Sequence, residues 1–306
     1  VLLATALASC LGTLCMAFMA NLPFALSAGM GLNAFMAYTV VAGYGYSWQV
    51  ALLAVFIEGL IFIVLSLTNV REAIFNAIPL TLKKGVSVGI GLFIAFIGLQ
   101  NSGLCVDSAT LVGIISFPEN FHTAGICALL TLIGLFFTAV FYTRKMKGAI
   151  LYGILLTWIL GMLCQVTGLY VPTPDAGFYS LFPSWGMTDF SKLGLTFGQC
   201  FNVDFSAVGI VNFIVVIFSF LFVDIFDTLG TLIGVATKAK MLDKDGKLPG
   251  IKPALLADSI ATSAGAILGT STTTTFVESA SGVAVGGRTG LTALVNGILF
   301  LVSPLF

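Results

Sequence analysis

The most constraining feature of this chain is a series of apolar runs, each close to the length of a membrane-spanning helix. Such a helix needs about 20 largely apolar residues. The runs are Val1–Ala20, Trp48–Leu67, Gly85–Leu99, Thr123–Phe141, Ala149–Val166, Val208–Thr237 and Gly290–Phe306. Only 8% of the residues are charged, against about 25% in a soluble domain. The sequence therefore predicts an all-α polytopic membrane protein.

Three further apolar segments are shorter or richer in Gly, Ser and Thr. They are Ala25–Val41, Pro253–Leu268 and Glu278–Gly287. The basic residues support counting them, because cytoplasmic loops carry an excess of Lys and Arg. With these segments included, all 13 basic residues except Lys192 fall on one side. We therefore expect a multi-pass protein of the cell (plasma or inner) membrane, with loops 71–84, 142–148 and 238–252 in the cytoplasm.

Several function classes lack support in the sequence. The formal net charge is zero, which gives no reason to expect a nucleic-acid partner. The six cysteines show no CxxC spacing, and no metal-ligand cluster of His, Cys and carboxylates occurs. The phosphate-binding pattern GxxxxGK[ST] is also missing. We therefore expect no cofactor and no direct coupling to ATP in this chain.

Two carboxylates lie near the middle of the long run 208–237, in the stretch FVDIFDTLGTLIGVATKA. At helical spacing Asp224 and Asp227 share a face with Thr231 and Gly234. A charge at the bilayer centre costs at least about 2.5–3.5 kcal/mol, so both aspartates are functional candidates that face protein or a water-filled cavity. The alternative is that they only cap or bridge neighbouring helices.

Two segments about 250 residues apart share one pattern, in which an extended-looking run precedes a short helix. In the first, Gly29 and Gly31 precede a helix that carries Asn33; in the second, Glu278 follows the run Thr272–Phe276. Irregular backbone at membrane depth is tolerated only where protein or a cavity surrounds it. Paired interrupted segments of this kind point to a transporter binding site. The alternative is a Gly- and Thr-rich helix packed tightly on a neighbour.

The other polar residues give weaker predictions. Glu58 is interpreted as a lateral or interfacial residue, and Asp258 as a residue that orients the inner end of its helix. His122 is assigned a polar boundary role. The segment Arg71–Leu80 is predicted to form an amphipathic helix on the inner membrane surface.

Five stretches together resemble one transporter family over nearly the whole chain. They are GMGLNAFMAYTVV, FVDIFDTLGTLIGVATKA, KDGKLPG, LLADSIAT and GTSTTTTFVESASGVAVGGRTG. The family is that of the AzgA-like hypoxanthine/guanine/adenine permeases, in the nucleobase–cation symporter-2 (nucleobase:ascorbate transporter-type) superfamily. The resemblance implies a uracil-permease-like fold of fourteen segments in two inverted repeats of seven. Segments 3 and 10 would each contain a short strand, and the two strands would pair antiparallel.

The resemblance also implies a domain organisation. Residues 1–68 would form segments 2–4 of a core domain, and residues 69–206 would form segments 5–7 of a gate domain with an outside loop. Residues 207–306 would supply core segments 8–11 and the start of segment 12. On this mapping we expect a fragment without segment 1 and most of segments 12–14, which would not be competent for transport by itself.

By resemblance, the complete protein imports purine nucleobases by proton symport, with an elevator-type alternating-access mechanism. Asp224 and Glu278 would contact the purine and Asn33 would help to shape the site. Asp227 would couple transport to protons. Backbone groups near Ala28, Gly29 and Thr275 and the ring of Phe276 complete the expected substrate site. A homodimer is expected on the same ground alone, and the sequence does not specify which purine is preferred.

Two other functions stay open as alternatives. An intramembrane aspartyl protease would also place two aspartates in the membrane, but on two different helices and commonly with a GxGD motif, which this sequence lacks. An anion transporter of the same fold is the second alternative. Asp224, Asp227 and Glu278 would repel its substrate.

Overall fold

The fold is mainly helical. A computed structural model of the protein describes residues 1–109, 111–183, 186, 188–205, 208–244 and 247–305. The α-helices are α1 (Leu2–Cys15), α2 (Met30–Ala34), α3 (Trp48–Leu67), α4 (Val70–Ala77), α5 (Leu80–Asn101), α6 (Phe117–Asn120), α7 (Ile126–Thr143), α8 (Ala149–Val166), α9 (Ile210–Ala239), α10 (Ile251–Leu268), α11 (Ser279–Val285) and α12 (Gly290–Val302). The strands are β1 (Leu26–Ala28), β2 (Cys105–Ser108), β3 (Leu111–Ile114) and β4 (Thr273–Thr275). π-Helical turns extend α1 over Met16–Ala20 and α2 over Phe35–Gly43, and another precedes α7 at Phe121–Gly125.

Seven helices of the described chain are long and apolar enough to cross a membrane. They are Leu2–Ala20, Trp48–Leu67, Lys84–Asn101, Phe117–Thr143, Ala149–Val166, Ile210–Ala239 and Ile251–Leu268. Six of them match predicted runs, and the seventh, α10, is longer than the sequence pattern suggested. The predicted run at 290–306 instead forms the shorter helix α12, which ends in a 3₁₀ turn at Ser303–Leu305. The dipeptide Asp245-Gly246 is typical of a turn, and these two residues lie outside the described part of the chain.

Small residues explain why the Ser- and Thr-rich α10 is a full-length helix. It is packed closely against α3, and a Cβ atom added at Gly59 of α3 would lie 2.8 Å from the backbone nitrogen of Ser263. The hydroxyls of Ser259 and Ser263 bond to carbonyls one turn earlier, Leu255 O and Ser259 O. The polar side chains are thus satisfied within the helix, and their small size lets two backbones approach.

Replacing Gly59 by valine should separate α3 from α10, because the added side chain would meet the Ser263 hydroxyl and the Ser263 backbone beside it. Overpacking a tight core contact typically costs about 1–3 kcal/mol. We expect a lower melting temperature for the full-length protein in detergent, measured by fluorescence-detected size exclusion. Gly98→Val in α5 is the matched control, because an added Cβ there has no neighbour within 4 Å. An equal fall of the melting temperature in both variants would contradict the prediction.

The predicted break of two membrane segments by short strands is confirmed. β1 and β4 pair antiparallel, with Leu26 opposite Thr275 and Ala28 opposite Thr273. Gly29 N donates to Thr272 O (3.2 Å) and Phe276 N donates to Ala25 O (2.9 Å), which extends the ladder at both ends. Every residue of both strands is buried.

Side chains satisfy the outer edges of this two-stranded ladder. Thr13 Oγ1 accepts from Leu26 N (2.9 Å) and lies 3.1 Å from Leu26 O. On the other edge, Thr262 Oγ1 donates to Thr273 O (2.9 Å) and Asp258 Oδ1 accepts from Thr275 N (3.2 Å). Unpaired backbone groups are costly where water is absent, so these contacts permit non-helical backbone inside the membrane protein.

The chain divides into two compact units. The first contains residues 1–90 and 186–306, and the second contains residues 91–185. In the second unit, β2 and β3 form an antiparallel hairpin that was not predicted from the sequence. In the same unit, α7 and α8 pack through reciprocal Gly–Thr contacts, Gly134 with Thr157 and Gly153 with Thr138. The division into core and gate at 68 and 206 stays a prediction.

Candidate functional site

A polar cluster surrounds β4 where it lies between α9 and α10. Thr274 Oγ1 of β4 lies 2.9 Å from Thr228 Oγ1 of α9. The same Thr228 oxygen lies 3.1 Å from Asp224 Oδ1 and 3.3 Å from Asp258 Oδ2. A hydroxyl carries one proton and accepts others. Thr228 therefore links two carboxylates to the strand.

The cation of this cluster is Arg71, which begins the segment that was predicted to form an amphipathic helix on the inner membrane surface. Arg71 is on α4, yet its side chain is only 3% exposed. Its Nη2 atom lies 2.7 Å from Asp258 Oδ2 and 3.3 Å from Asp224 Oδ2. The two aspartates are fully buried, and a buried carboxylate is tolerated when a cation and hydrogen bonds compensate it.

Arg71 makes further contacts with α10 and α3 that hold its side chain in place. Nη1 donates to Leu255 O (3.0 Å) and to Ser259 Oγ (2.8 Å), both on α10. The guanidinium also stacks on the ring of Phe62 of α3, with 4.0 Å from Cζ to the ring centroid. α4 is therefore fastened to α3, α9 and α10 by one side chain. The amphipathic pattern of α4 led to the prediction of a surface helix. The pattern alone does not show that the single arginine of α4 points into the protein.

The two aspartates of α9 have different surroundings. Asp224 is buried with Arg71, whereas Asp227 is half-buried and makes no hydrogen bond or ion pair among the described residues. Asp227 Oδ2 lies 3.4 Å from the position that a Cβ atom on Gly29 would occupy, so it faces the end of β1. Asp227 is also close enough to Glu278 for their charges to interact.

Glu278 stands at the N-terminal boundary of α11, as predicted. Its side chain is exposed and makes no hydrogen bond to the helix N-terminus. Ser279 beside it accepts from Ala25 N through its hydroxyl (3.0 Å), which ties α11 to the segment before β1. Within the described residues no hydrogen bond joins Glu278 to Asp224. Of the two aspartates of α9, Asp227 is the one whose charge interacts with that of Glu278.

The other predicted substrate-site residues lie at the ends of the strand pair. Asn33 is exposed, and it contacts Ala28 O through Nδ2 (3.5 Å) and the Ser271 hydroxyl through Oδ1. Gly29 is buried, and a Cβ atom added there would lie 3.0 Å from Thr274 Cγ2. Thr275 is buried within β4, and Phe276 after it is half-buried.

Two further polar residues of this region were misjudged from the sequence. Glu58 is fully buried rather than interfacial, and Thr272 Oγ1 lies 3.0 Å from its Oε2 atom. Asp258 was predicted to orient the inner end of its helix, but it is fully buried near the middle of α10, beside Arg71 and β4. The available signal was a charge imbalance, since the membrane segments held several carboxylates and no cation. A buried arginine near the end of a segment was the missing partner.

The comparisons with known proteins agree with this architecture. A profile of the Permease family matches residues 1–306. The putative permease MJ0326 of Methanocaldococcus jannaschii is 46% identical over 307 residues, which cover 100% of this chain and 65% of that protein. The guanine/hypoxanthine permease PbuG of Bacillus subtilis is 48% identical over 304 residues, covering 99% and 64%. The adenine permease AdeQ of Escherichia coli is 39% identical over 309 residues, covering 100% and 64%. The chain thus spans a little less than two thirds of the length of these relatives.

A solved structure shows the fold independently. The transmembrane domain of a cyanobacterium bicarbonate transporter, BicA, superposes with a TM-score of 0.59 at 17% identity, covering 98% of this chain and 76% of that chain. The predicted class, an all-α polytopic transporter fold with two short antiparallel strands in broken segments, is therefore confirmed. The resemblance to purine permeases is confirmed at the level of the family, which is one of transporters and not of enzymes. The chain is a multi-pass membrane protein of the Permease family.

Proposed function

We propose that the complete protein transports a purine nucleobase across the cell membrane, with the base docked at the ends of the β1–β4 pair. The observation that carries this proposal is the position of Asp227 and Glu278 beside the paired strands of two broken segments. Relatives named as guanine/hypoxanthine and adenine permeases support the substrate class.

The chemistry of a purine fits the side chains at this place. Its ring and exocyclic N–H groups are donors, and carboxylates are strong acceptors for such groups. Glu278 is exposed and free of cap bonds, so it is the proposed direct acceptor. Asn33 and the backbone near Ala28, Gly29 and Thr275 would face another edge of the base. Phe276 is proposed to stack on the ring.

Asp224 is proposed to contribute in a second way. It was expected to contact the purine, and in this conformation it is fully buried against Arg71. Its hydrogen bond from Thr228, which in turn contacts Thr274, connects it to β4. We therefore propose that Asp224 positions the strand, and that it reaches the purine only in a conformation in which Arg71 has moved.

Proton symport and an elevator motion complete the proposal. Asp227 is the proposed coupling group, because it is half-buried, makes no ion pair within the described part of the chain and interacts with the charge of Glu278. Its protonation would remove one of two adjacent negative charges before the loaded core crosses the bilayer. Residues 1–68 and 207–306 would move against the gate, and a homodimer would hold the gates still.

Glu278→Gln in the full-length protein tests the substrate site. A hydrogen bond to a charged group contributes about 1.5–3 kcal/mol, so guanine binding should weaken by roughly 10- to 150-fold. Scintillation proximity binding with radiolabelled guanine measures this directly. Glu119→Gln, at an exposed position in α6, is the control. Wild-type affinity in Glu278→Gln would exclude the direct contact, and bicarbonate uptake without guanine binding would favour the anion transporter.

A further inference from the structure

Glu58 is the buried carboxylate that the proposed mechanism does not use. It lies within α3 and is fully buried. Its Oε2 atom lies 3.0 Å from Thr272 Oγ1. Its Oε1 atom is buried and has no hydrogen-bond partner among the described residues. A buried polar atom without a partner costs about 1–3 kcal/mol, and more when the group is charged.

The charged groups that face Glu58 come from three other helices. They are Arg71 of α4, Asp224 of α9 and Asp258 of α10. The guanidinium of Arg71 is committed to the two aspartates, to Leu255 O and to Ser259 Oγ. Among the residues that the structure describes, three buried carboxylates thus share one cation. An isolated buried carboxylate is neutralised by a proton far more readily than it stays ionised.

Thr272 connects Glu58 to the substrate site. The carbonyl oxygen of Thr272 accepts from Gly29 N (3.2 Å), at the end of the strand pair. The preceding residue, Ser271, contacts Asn33 through its hydroxyl. Glu58 is therefore two residue-to-residue contacts away from the first broken segment. An ionised Glu58 would need a hydrogen-bond donor for Oε1. Either water supplies that donor, or the backbone around Thr272 (the Thr272 segment) moves to supply it.

We propose that Glu58 is a proton-binding site of this transporter, and that loss of its proton to water displaces the Thr272 segment and changes the strand pair at the substrate site. The proposal deepens the proposed function and rests on it for the link to transport. In the conformation described here Glu58 carries the proposed proton, and Thr272 Oγ1 donates to its Oε2 atom (3.0 Å). A neutral carboxyl group is cheaper to leave with Oε1 unpaired than a carboxylate is.

Infrared difference spectroscopy of the full-length protein tests the proton without reference to substrate. Titrating the purified wild type across pH should reveal a carbonyl stretch of a protonated carboxyl group that shifts in protein labelled with ¹³C-glutamate. That band should be lost in Glu58→Gln and kept in the exposed control Glu119→Gln. Thr272→Val should change the pH at which the band disappears. Thr272→Ser, which keeps the hydroxyl, should return that pH to the wild-type value.

Guanine uptake into proteoliposomes then tests the link to transport. Because glutamine mimics the protonated side chain, Glu58→Gln should keep guanine binding within about twofold of wild type, well under 1.4 kcal/mol. It should lose most of the dependence of uptake on pH. A glutamate band without guanine transport would uphold the proton site and reject the proposed function. Guanine transport without a glutamate-dependent band, or with a band that persists in Glu58→Gln, would overturn the proposal, and the labelled wild type gives this answer even if the variant fails to fold.

Discussion

Arg71→Gln is expected to remove most of the folded protein at temperatures where the wild type is intact. The substitution leaves the fully buried carboxylates of Asp224 and Asp258 without their cation. Removing one partner of a buried ion pair costs about 3–5 kcal/mol, a large share of the stability of most proteins. Fluorescence-detected size exclusion of the heated full-length protein in detergent measures the loss.

A partial recovery of stability in a double variant would show that the loss comes from uncompensated charge and not from lost packing. Arg71→Gln combined with Asp258→Asn removes one uncompensated carboxylate, so the double variant should be more stable than Arg71→Gln alone. Arg144→Gln, at an exposed position after α7, is the control for loss of a single arginine. A melting temperature for Arg71→Gln equal to that of wild type would contradict the assigned role.

Asp227→Asn is expected to abolish proton-driven accumulation of guanine while leaving the protein folded. Asp227 has no hydrogen bond or ion pair among the described residues, so little native structure depends on its charge. One pH unit corresponds to about 1.4 kcal/mol, which would drive roughly tenfold accumulation with one proton per purine. The variant should instead equilibrate guanine across the membrane of a proteoliposome at any pH gradient.

The comparison requires a variant of equal chemistry that is not part of the proposed site. Asp175→Asn lies in an exposed loop of the second unit and should accumulate guanine like wild type. Accumulation that still follows the pH gradient in Asp227→Asn would move the coupling role to another carboxylate. Loss of guanine binding in the same variant would indicate that Asp227 contacts the base directly.

Much of the fold was predictable because few backbone structures are stable inside a membrane. Long apolar runs fixed the positions of most spanning helices. Breaks at Gly29 and at Thr272–Phe276 could be recognised as a pair because isolated irregular backbone is not tolerated at membrane depth. The short hairpin at 105–114 was missed, since two four-residue strands in a loop carry little pattern of their own.

The partners of the buried charges could not be predicted from the sequence. A glutamate in an apolar helix signals a cost, but the residue that relieves it, Thr272, lies 214 positions away from Glu58. Arg71 is separated from Asp258 by 187 positions, and its own helix has a surface-like pattern. Such contacts depend on how α3, α4, α9 and α10 pack, and local periodicity contains no information about that.

The pairing of β1 with β4 has a consequence for the biogenesis of the protein. The partners of Leu26–Ala28 lie about 250 residues later in the chain, and ribosomes add about 5–20 residues per second. For roughly 12–50 s the nascent first strand therefore has no strand to pair with. During that interval the translocon, membrane chaperones or water must shield its backbone. The first broken segment should consequently stay at the insertion machinery until residues 273–275 have been synthesised, so the two halves of the site are completed together.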